Sequence, residues 1–199
     1  MSTYFSIENQ SEGYYESKGS KFISFAYPVH NEADIKMHLE KLKELHPKAT
    51  HHCYAYRLGV DKNNYRANDD GEPSGSAGRP ILGQIDSHGL SFVLVIVVRY
   101  YGGTKLGVSG LISAYKKAAN EALEKALKIE QELEAQMAIE CSYLEVNDLL
   151  NFLKKSKIEN IQQDYTDLCK ISFKFPLSMQ ESLSLWLQEN SFNFSISNN

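Results

Sequence analysis

Three groups of residues in this chain could do chemistry. His51-His52-Cys53 puts two imidazoles beside a thiol, and Asp69-Asp70-Gly71-Glu72 puts three carboxylates into four positions. The third group, Arg99-Tyr100-Tyr101-Gly102-Gly103-Thr104-Lys105-Leu106-Gly107, mixes cations, tyrosines and glycines, with Arg79 between it and the acids. In an extended strand His51 and Cys53 share a face, which invites a metal. Asp69, Asp70 or Glu72 would then have to complete three or four ligands, and no ligand-pair spacing requires this. A hydrogen-bonded or exposed sheet histidine explains the same residues, so neither a metal nor a cofactor is expected. The acidic turn lacks the calcium-loop pattern; carboxylates pairing with Arg66, Arg79 or Arg99 are the plainer reading. Strand neighbours two apart are too distant for His51 to activate Cys53 directly, so no residue is assigned as catalytic.

The glycine group is not a Walker A loop, which would need lysine where Val108 stands, and GxGxxG is absent. Gly107-Val108-Ser109-Gly110 has the GxxG spacing of KH domains, but a strand ahead of it is the wrong context. Two readings remain. Backbone N–H groups at a helix start, with Lys105 and Arg99, favour an anion. Alternatively, the glycines permit a tight strand-to-helix turn and close packing.

The elements that must position these groups follow from periodicity. Phe92–Val98 is a seven-residue apolar run, mostly β-branched, and reads as a strand covered on both faces. Apolar residues at 108, 111, 112, 115, 119, 122, 123 and 126 predict a helix after the glycines. Upstream, residues 21–29 read as a strand, and Asn31 as the cap of a helix through Ile35, Leu39, Leu42 and Leu45. Residues 50–67 read as a hairpin, with His51, Cys53, Ala55 and Arg57 on one face of its first strand. Residues 68–80 suit no regular element, and a short helix is expected through Ile81, Leu82 and Ile85. After Lys128 the pattern restarts. Strands are expected over 136–144, 158–165, 168–175 and 192–196, with a turn at Thr166-Asp167. Helices capped by Asn147 and Ser178 lie between them. That β-α-β-β-α-β order is the split βαβ arrangement of ferredoxin-like domains. The expected domains are 1–130 and 131–199, with the boundary near 129–134.

At 199 residues, with 42% hydrophobic and 23% charged residues, the chain suits a soluble α+β protein of two domains. Its net charge of −4 is uneven: residues 131–199 carry 5 Lys+Arg against 10 Asp+Glu, a net of −5, leaving +1 for 1–130. Neither part is basic enough to hold nucleic acid by bulk charge, so such binding needs a local patch. Cys53, Cys141 and Cys169 are widely spaced without CxxC, which suits reduced thiols. With no signal-like N-terminal run and no long apolar span, a cytoplasmic protein without a membrane partner is expected.

DDGEPSGSAGRPIL and VVRYYGGTKLGVSGLISAY, with HHCYAY ahead of them, together resemble the signature of the IMPACT family and its bacterial YigZ-type members, over residues 17 to 127. The resemblance implies a first domain folded like the second domain of a small-subunit ribosomal protein, a fold also used in domain IV of elongation factor G, with a left-handed βαβ crossover. It implies a second, ferredoxin-like domain similar to domain V of that factor. Eukaryotic members regulate translation by competing for the activator of the amino-acid-starvation kinase. Carried onto this chain, the motif gives His51, His52, Asp69, Asp70, Gly71, Glu72, Gly75, Gly78, Arg79, Arg99, Tyr100, Tyr101, Gly102, Gly103 and Gly107 as a shared surface, to which Thr104 and Lys105 belong by position. The expected function is translation-related binding of RNA, the ribosome or a translation-regulator protein through that surface. The alternative is an enzyme for a small anionic or phosphorylated substrate, with a histidine base partnered by Asp70 or Glu72. A deep cleft joining His52, Glu72 and Lys105 would favour the enzyme, a shallow groove the binder.

Overall fold

A computed structural model describes residues 3–61, 63–165 and 168–198. Contacts divide them into two compact units, Tyr4–Gln131 and Thr3 with 132–199.

The seven-residue apolar run of the sequence is the central strand of the first unit. Strands β1 (Thr3–Ile7), β2 (Ser11–Ser17), β3 (Ser20–Pro28), β4 (His51–Leu58), β5 (Asn64–Asn68), β6 (Val93–Tyr100) and β7 (Lys128–Glu132) occur with helices α1 (Glu32–Leu45), α2 (Gly78–Ser87) and α3 (Gly107–Lys125). Five strands form one sheet in the order β2-β3-β6-β4-β5, and β1 pairs with β7. Both β3 and β4 run antiparallel to β6, so the connection through α1 joins two parallel strands. Alternation along β6 divides the core as its composition requires. Val93, Val95 and Val97 pack with α2 and α3, while Leu94, Ile96 and Val98 pack with Ile35 and Leu42 of α1. Asn31 caps α1, its Oδ1 accepting from the Asp34 N–H at 3.0 Å, as expected of Asn ahead of an acidic first turn.

The strands the sequence reading omitted are β1, β2 and β7. Strand β2 is an edge strand whose residues are mostly exposed or half-buried, so it has no apolar alternation to read. Its Gly13 lets α3 approach: a Cβ there would fall 2.5 Å from the Ala122 nitrogen.

The second unit contains β8 (Glu134–Cys141), α4 (Val146–Lys155), β9 (Gln162–Tyr165), β10 (Cys169–Pro176), α5 (Gln180–Glu189) and β11 (Asn193–Asn198). The sheet order is β11-β8-β10-β9, the β-α-β-β-α-β sequence read above. Leu149, Leu153, Leu183 and Leu187 cover its inner face with Met137, Ile139, Ile171 and Phe173. Two expected caps fall elsewhere. Asn147 lies inside α4, whose N-cap is Glu145. Ser178 lies in a 3₁₀ turn, Leu177–Met179, that leads into α5. Val146 enters α4 ahead of Asn147, whereas α5 begins at Gln180, after Ser178, with Met179 as its N-cap. The Thr166-Asp167 turn lies outside the described residues. No helix among the described residues is long and apolar enough to cross a membrane.

Candidate functional site

At one end of the first sheet, His51 on β4 stands directly opposite Arg99 on β6, and Lys21 on β3 opposite Tyr100. The Thr50 N–H donates to the Arg99 carbonyl at 2.8 Å. The loop that follows β5 folds over this end. Its Glu72 is buried, with a side chain 4% exposed against 7% for Arg99. Glu72 Oε1 accepts from Arg99 Nη1 at 2.5 Å and from the Tyr115 hydroxyl of α3 at 2.7 Å. Arg99 Nη2 reaches Ser20 Oγ at 3.4 Å, and the guanidinium lies 5.5 Å from the Phe22 ring centre and 5.6 Å from that of Tyr101. Its Nε is buried without a hydrogen-bond partner. A planar five-donor cation can hold a carboxylate, a hydroxyl and an aromatic face together.

The acids of the loop bond within the protein to build it, Asp70 while remaining exposed. Asp69 Oδ1 accepts from the Ala77 and Gly78 N–H groups at 3.0 and 2.8 Å, and its Oδ2 from Gly75 at 2.8 Å. It therefore caps α2, whose own N-cap residue Ala77 has no side-chain acceptor. Burial raises the Asp69 pKa, but these three N–H groups and Arg79 outweigh it and leave the carboxyl below its ordinary value. Asp70 Oδ2 accepts from the His52 N–H at 2.6 Å, and its carbonyl accepts from His51 Nδ1 at 2.7 Å. Because a carbonyl only accepts, His51 carries its proton on Nδ1, and Nε2 lies 3.8 Å from Glu72 Oε1. Gly71 adopts φ +87°, and a Cβ there would lie 3.5 Å from His51 Nδ1.

Cys53 sits beneath, its Sγ 3.0 Å from the Asp69 carbonyl and 3.3 Å from the Tyr115 hydroxyl. Burial holds this thiol far above its usual pKa, although the Tyr115 contact works the other way. A buried neutral thiol is a packing group, not a nucleophile. Burial likewise raises the Tyr115 hydroxyl. Among the described residues, no three His, Cys, Asp or Glu side chains are grouped so as to hold a metal ion.

The glycine turn crosses the β2–β3 turn. A Cβ on Gly102 would fall 2.0 Å from the Gly19 carbonyl carbon, so the two backbones touch. Ser20 Oγ accepts from the Gly102 N–H at 3.1 Å, and the Tyr101 N–H donates to Thr50 Oγ1 at 3.2 Å. Gly103 and Gly107 adopt φ of +84° and +72°, which glycine tolerates without a Cβ penalty. Leu106 at the N-cap of α3 makes no side-chain cap bond. Tyr101, Gly102, Gly103, Thr104, Lys105 and Gly107 are exposed, as is Arg79 in the first turn of α2.

The structure therefore brings His51, Asp69, Asp70, Glu72, Arg99 and the glycine turn to one end of the sheet, but not every residue of the motif points the same way. His52 and Tyr100 face α1 instead. The Tyr100 hydroxyl lies 2.9 Å from His46 Nδ1. Burial pushes the His52 imidazole below its usual pKa, against the pull of Asp70. Sequence reasoning missed Ser20, Thr50 and Tyr115. Tyr115 had one available signal, a polar tip on the apolar face of α3; the two hydroxyls had none.

The Impact N-terminal domain family model matches residues 18–123. IMPACT family member YvyE of Bacillus subtilis strain 168 is 31% identical over 189 residues, covering 95% of this chain and 87% of that protein. IMPACT family member YigZ of Escherichia coli strain K12 is 30% identical over 176 residues, covering 87% and 86%. A crystal structure described as that of a hypothetical protein superposes with a TM-score of 0.81 at 28% identity, over 98% of this chain and 97% of the other.

Proposed function

Because the chain belongs to the IMPACT family, we propose that it acts in translation or its regulation, binding RNA or the ribosome through the end of the first sheet described above. One observation carries the reading. Each acid of the motif accepts a hydrogen bond within the protein, Asp69 on α2, Asp70 on His52 and Glu72 on Arg99; Asp70 stays exposed beside Arg79, Tyr101, Thr104 and Lys105, while Asp69 is half-buried and Glu72 buried. An acidic-looking sequence thus supports a surface on which Arg79, Lys105 and Tyr101 are exposed together with the single carboxylate of Asp70. Lys18 in the β2–β3 turn and Lys21 opposite Tyr100 add exposed cations at the same end. The uncapped start of α3 beside Lys105 directs backbone N–H groups outward, which suits a phosphate oxygen. Tyr101 offers a ring on which a base can stack. The likeness to ribosomal-protein and elongation-factor domains that the family resemblance implies agrees with this reading.

The test is binding of a fluorescent single-stranded RNA at several salt concentrations. Arg79→Ala and Lys105→Ala should each weaken binding and reduce the salt slope by about one per lost phosphate contact. Binding indifferent to salt and to both substitutions rejects RNA as the ligand. A translation-regulator protein is the second reading, favoured by Val108 and Ile112, which lie one turn apart on α3 and are 53% and 40% exposed. The enzyme reading has less support. His52 and Glu72 lie on opposite faces of the sheet, and the one histidine near Glu72, His51, shares that carboxylate with Arg99 and Tyr115.

A further inference from the structure

The second unit exposes an apolar group at the end of its sheet where β8 and β9 stop and β10 begins. Cys141, Cys169 and Tyr165 are register neighbours there, so the segment after β8, the end of β9 and the start of β10 come together. Tyr143 and Tyr165 stack with ring centres 6.1 Å apart, at 23° between planes. Both are about half exposed, as is Leu168, and Leu144 is 90% exposed. Scattered single apolar residues on a surface mean little, but a contiguous group rimmed by polar residues marks an interaction site. Two stacked tyrosines also lose little side-chain freedom on binding, a property of interface anchors.

The rim has one sign. Glu145 follows Leu144 directly, Asp148 lies in the first turn of α4, and Asp164 precedes Tyr165; all three are exposed. Glu140 is exposed too, and the nearby cation Lys170 is already paired with it at 3.2 Å. Glu145 is held as an anion, because the Ser142 hydroxyl and N–H donate to its carboxylate at 2.6 and 2.9 Å. The lysines of α4, Lys154 and Lys155, sit in its last turn, at the far end of that helix.

This charge selects the occupant. An RNA backbone or an anionic lipid surface would be repelled by the rim, and two copies of the patch would set acid against acid. A lysine- or arginine-bearing segment with large apolar side chains would meet opposite charge at the edge and bury its anchors against Tyr143, Leu144 and Tyr165. We propose that this patch is a second docking surface, separate in chemistry from the basic end of the first unit, and that it takes a basic, apolar-anchored segment of a partner protein.

The experiment titrates the intact ¹⁵N-labelled chain with three short synthetic peptides: leucine and tryptophan flanked by lysines, the same anchors flanked by glutamates, and lysines around serines. The expected result is saturable shifts at 143–145, 164–165 and 168 with the first peptide alone. Leu144→Ser should weaken that binding about tenfold or more, as loss of one buried anchor does. Asp164→Lys should weaken it while an unchanged spectrum elsewhere shows the fold intact. Equal shifts from the first two peptides, or none from any, overturn the proposal. So does RNA shifting the same residues, or self-association that Leu144→Ser abolishes.

Discussion

Replacing Glu72 by alanine removes the acceptor for two buried donors at once. Arg99 would keep Ser20 Oγ at 3.4 Å as a partner and would already have an unbonded Nε. Tyr115 would lose the oxygen to which it donates at 2.7 Å. Breaking a buried ion pair from one side costs about 3–5 kcal/mol, because the remaining charge stays desolvated. Against a total stability of roughly 5–15 kcal/mol this is a large fraction. At a urea slope of about 1–3 kcal/mol per molar, the midpoint of the affected unit should fall by at least about 1 M. Glu72→Ala with Arg99→Met should cost less than Glu72→Ala alone, since no orphaned charge remains. Trp186, the sole tryptophan, stacks on Phe152 at 3.7 Å in the second unit. Its fluorescence reports that unit, while tyrosine near-UV circular dichroism is weighted towards the first. If the two units fold as separate domains, the tyrosine transition moves and the tryptophan transition stays. A loss below about 1 kcal/mol in Glu72→Ala, or a double variant no better than the single one, would refute the buried brace and return Glu72 to the alternative role of partner to a histidine base.

Asp69→Asn should destabilise the first unit by about 1–2 kcal/mol at pH 7, one helix-cap's worth. The native Asp69 pKa lies below its unfolded value, so the unfolded chain binds more protons. Its contribution is complete above about pH 4 and is lost as pH falls through the native value. Urea unfolding should therefore show the gap between wild type and Asp69→Asn closing in acid; a gap that widens there has the sign wrong. Gly102→Ala and Gly103→Ala should separate two uses of glycine. The first drives a Cβ into Gly19, costing about 1–3 kcal/mol as overpacking does and shifting the amides of Lys18–Ser20. The second meets only its positive φ, costing about 1 kcal/mol and leaving those amides in place.

Periodicity made much of this fold legible, because alternation and helical spacing record which side of an element is buried. The run 92–98 lost Phe92 and gained Arg99 and Tyr100 to become β6, the spacing after Gly107 became α3, and the alternation of 51–58 put His51 with Cys53 and His52 with Tyr54. What it could not convey is which elements meet. Strand β2 carries its stability in pairing with β3 and in Gly13 against α3, neither of which leaves an apolar pattern. The caps at Asn147 and Ser178 failed because a polar residue near a helix start is only a local cue: buried Val146 starts α4 one residue before Asn147, and a 3₁₀ turn holding Ser178 delays α5 to Gln180. The site suffered most. Asp69 caps a helix eight and nine residues downstream, and Glu72 meets Arg99 and Tyr115 at separations of 27 and 43 residues. Reading DDGE as a ligand surface was natural because carboxylates in a loop are normally solvated; only the folded loop shows that its N–H and guanidinium partners are internal.

Arg99 ties these observations to function. One side chain joins the acidic loop through Glu72, the β2–β3 turn through Ser20 and the glycine turn through the ring of Tyr101. The positions of Arg79 and Lys105 at the surface thus depend on a residue that is itself nearly inaccessible. Two classes of substitution should then behave oppositely. Changes at Glu72 or Arg99 would reduce binding only as far as they reduce stability or displace the turns. Changes at Lys105, which is exposed, would reduce binding with the unfolding midpoint held; Arg79→Ala would add only the small loss of its attraction for Asp69. Loss of binding without loss of stability is what distinguishes a contact from its scaffold. An Arg99→Lys variant is the sharpest case: it keeps the charge but not the fork, so it cannot hold Glu72 and Ser20 at once. If the surface works through geometry set by that fork, the lysine variant should be impaired although its net charge is unchanged.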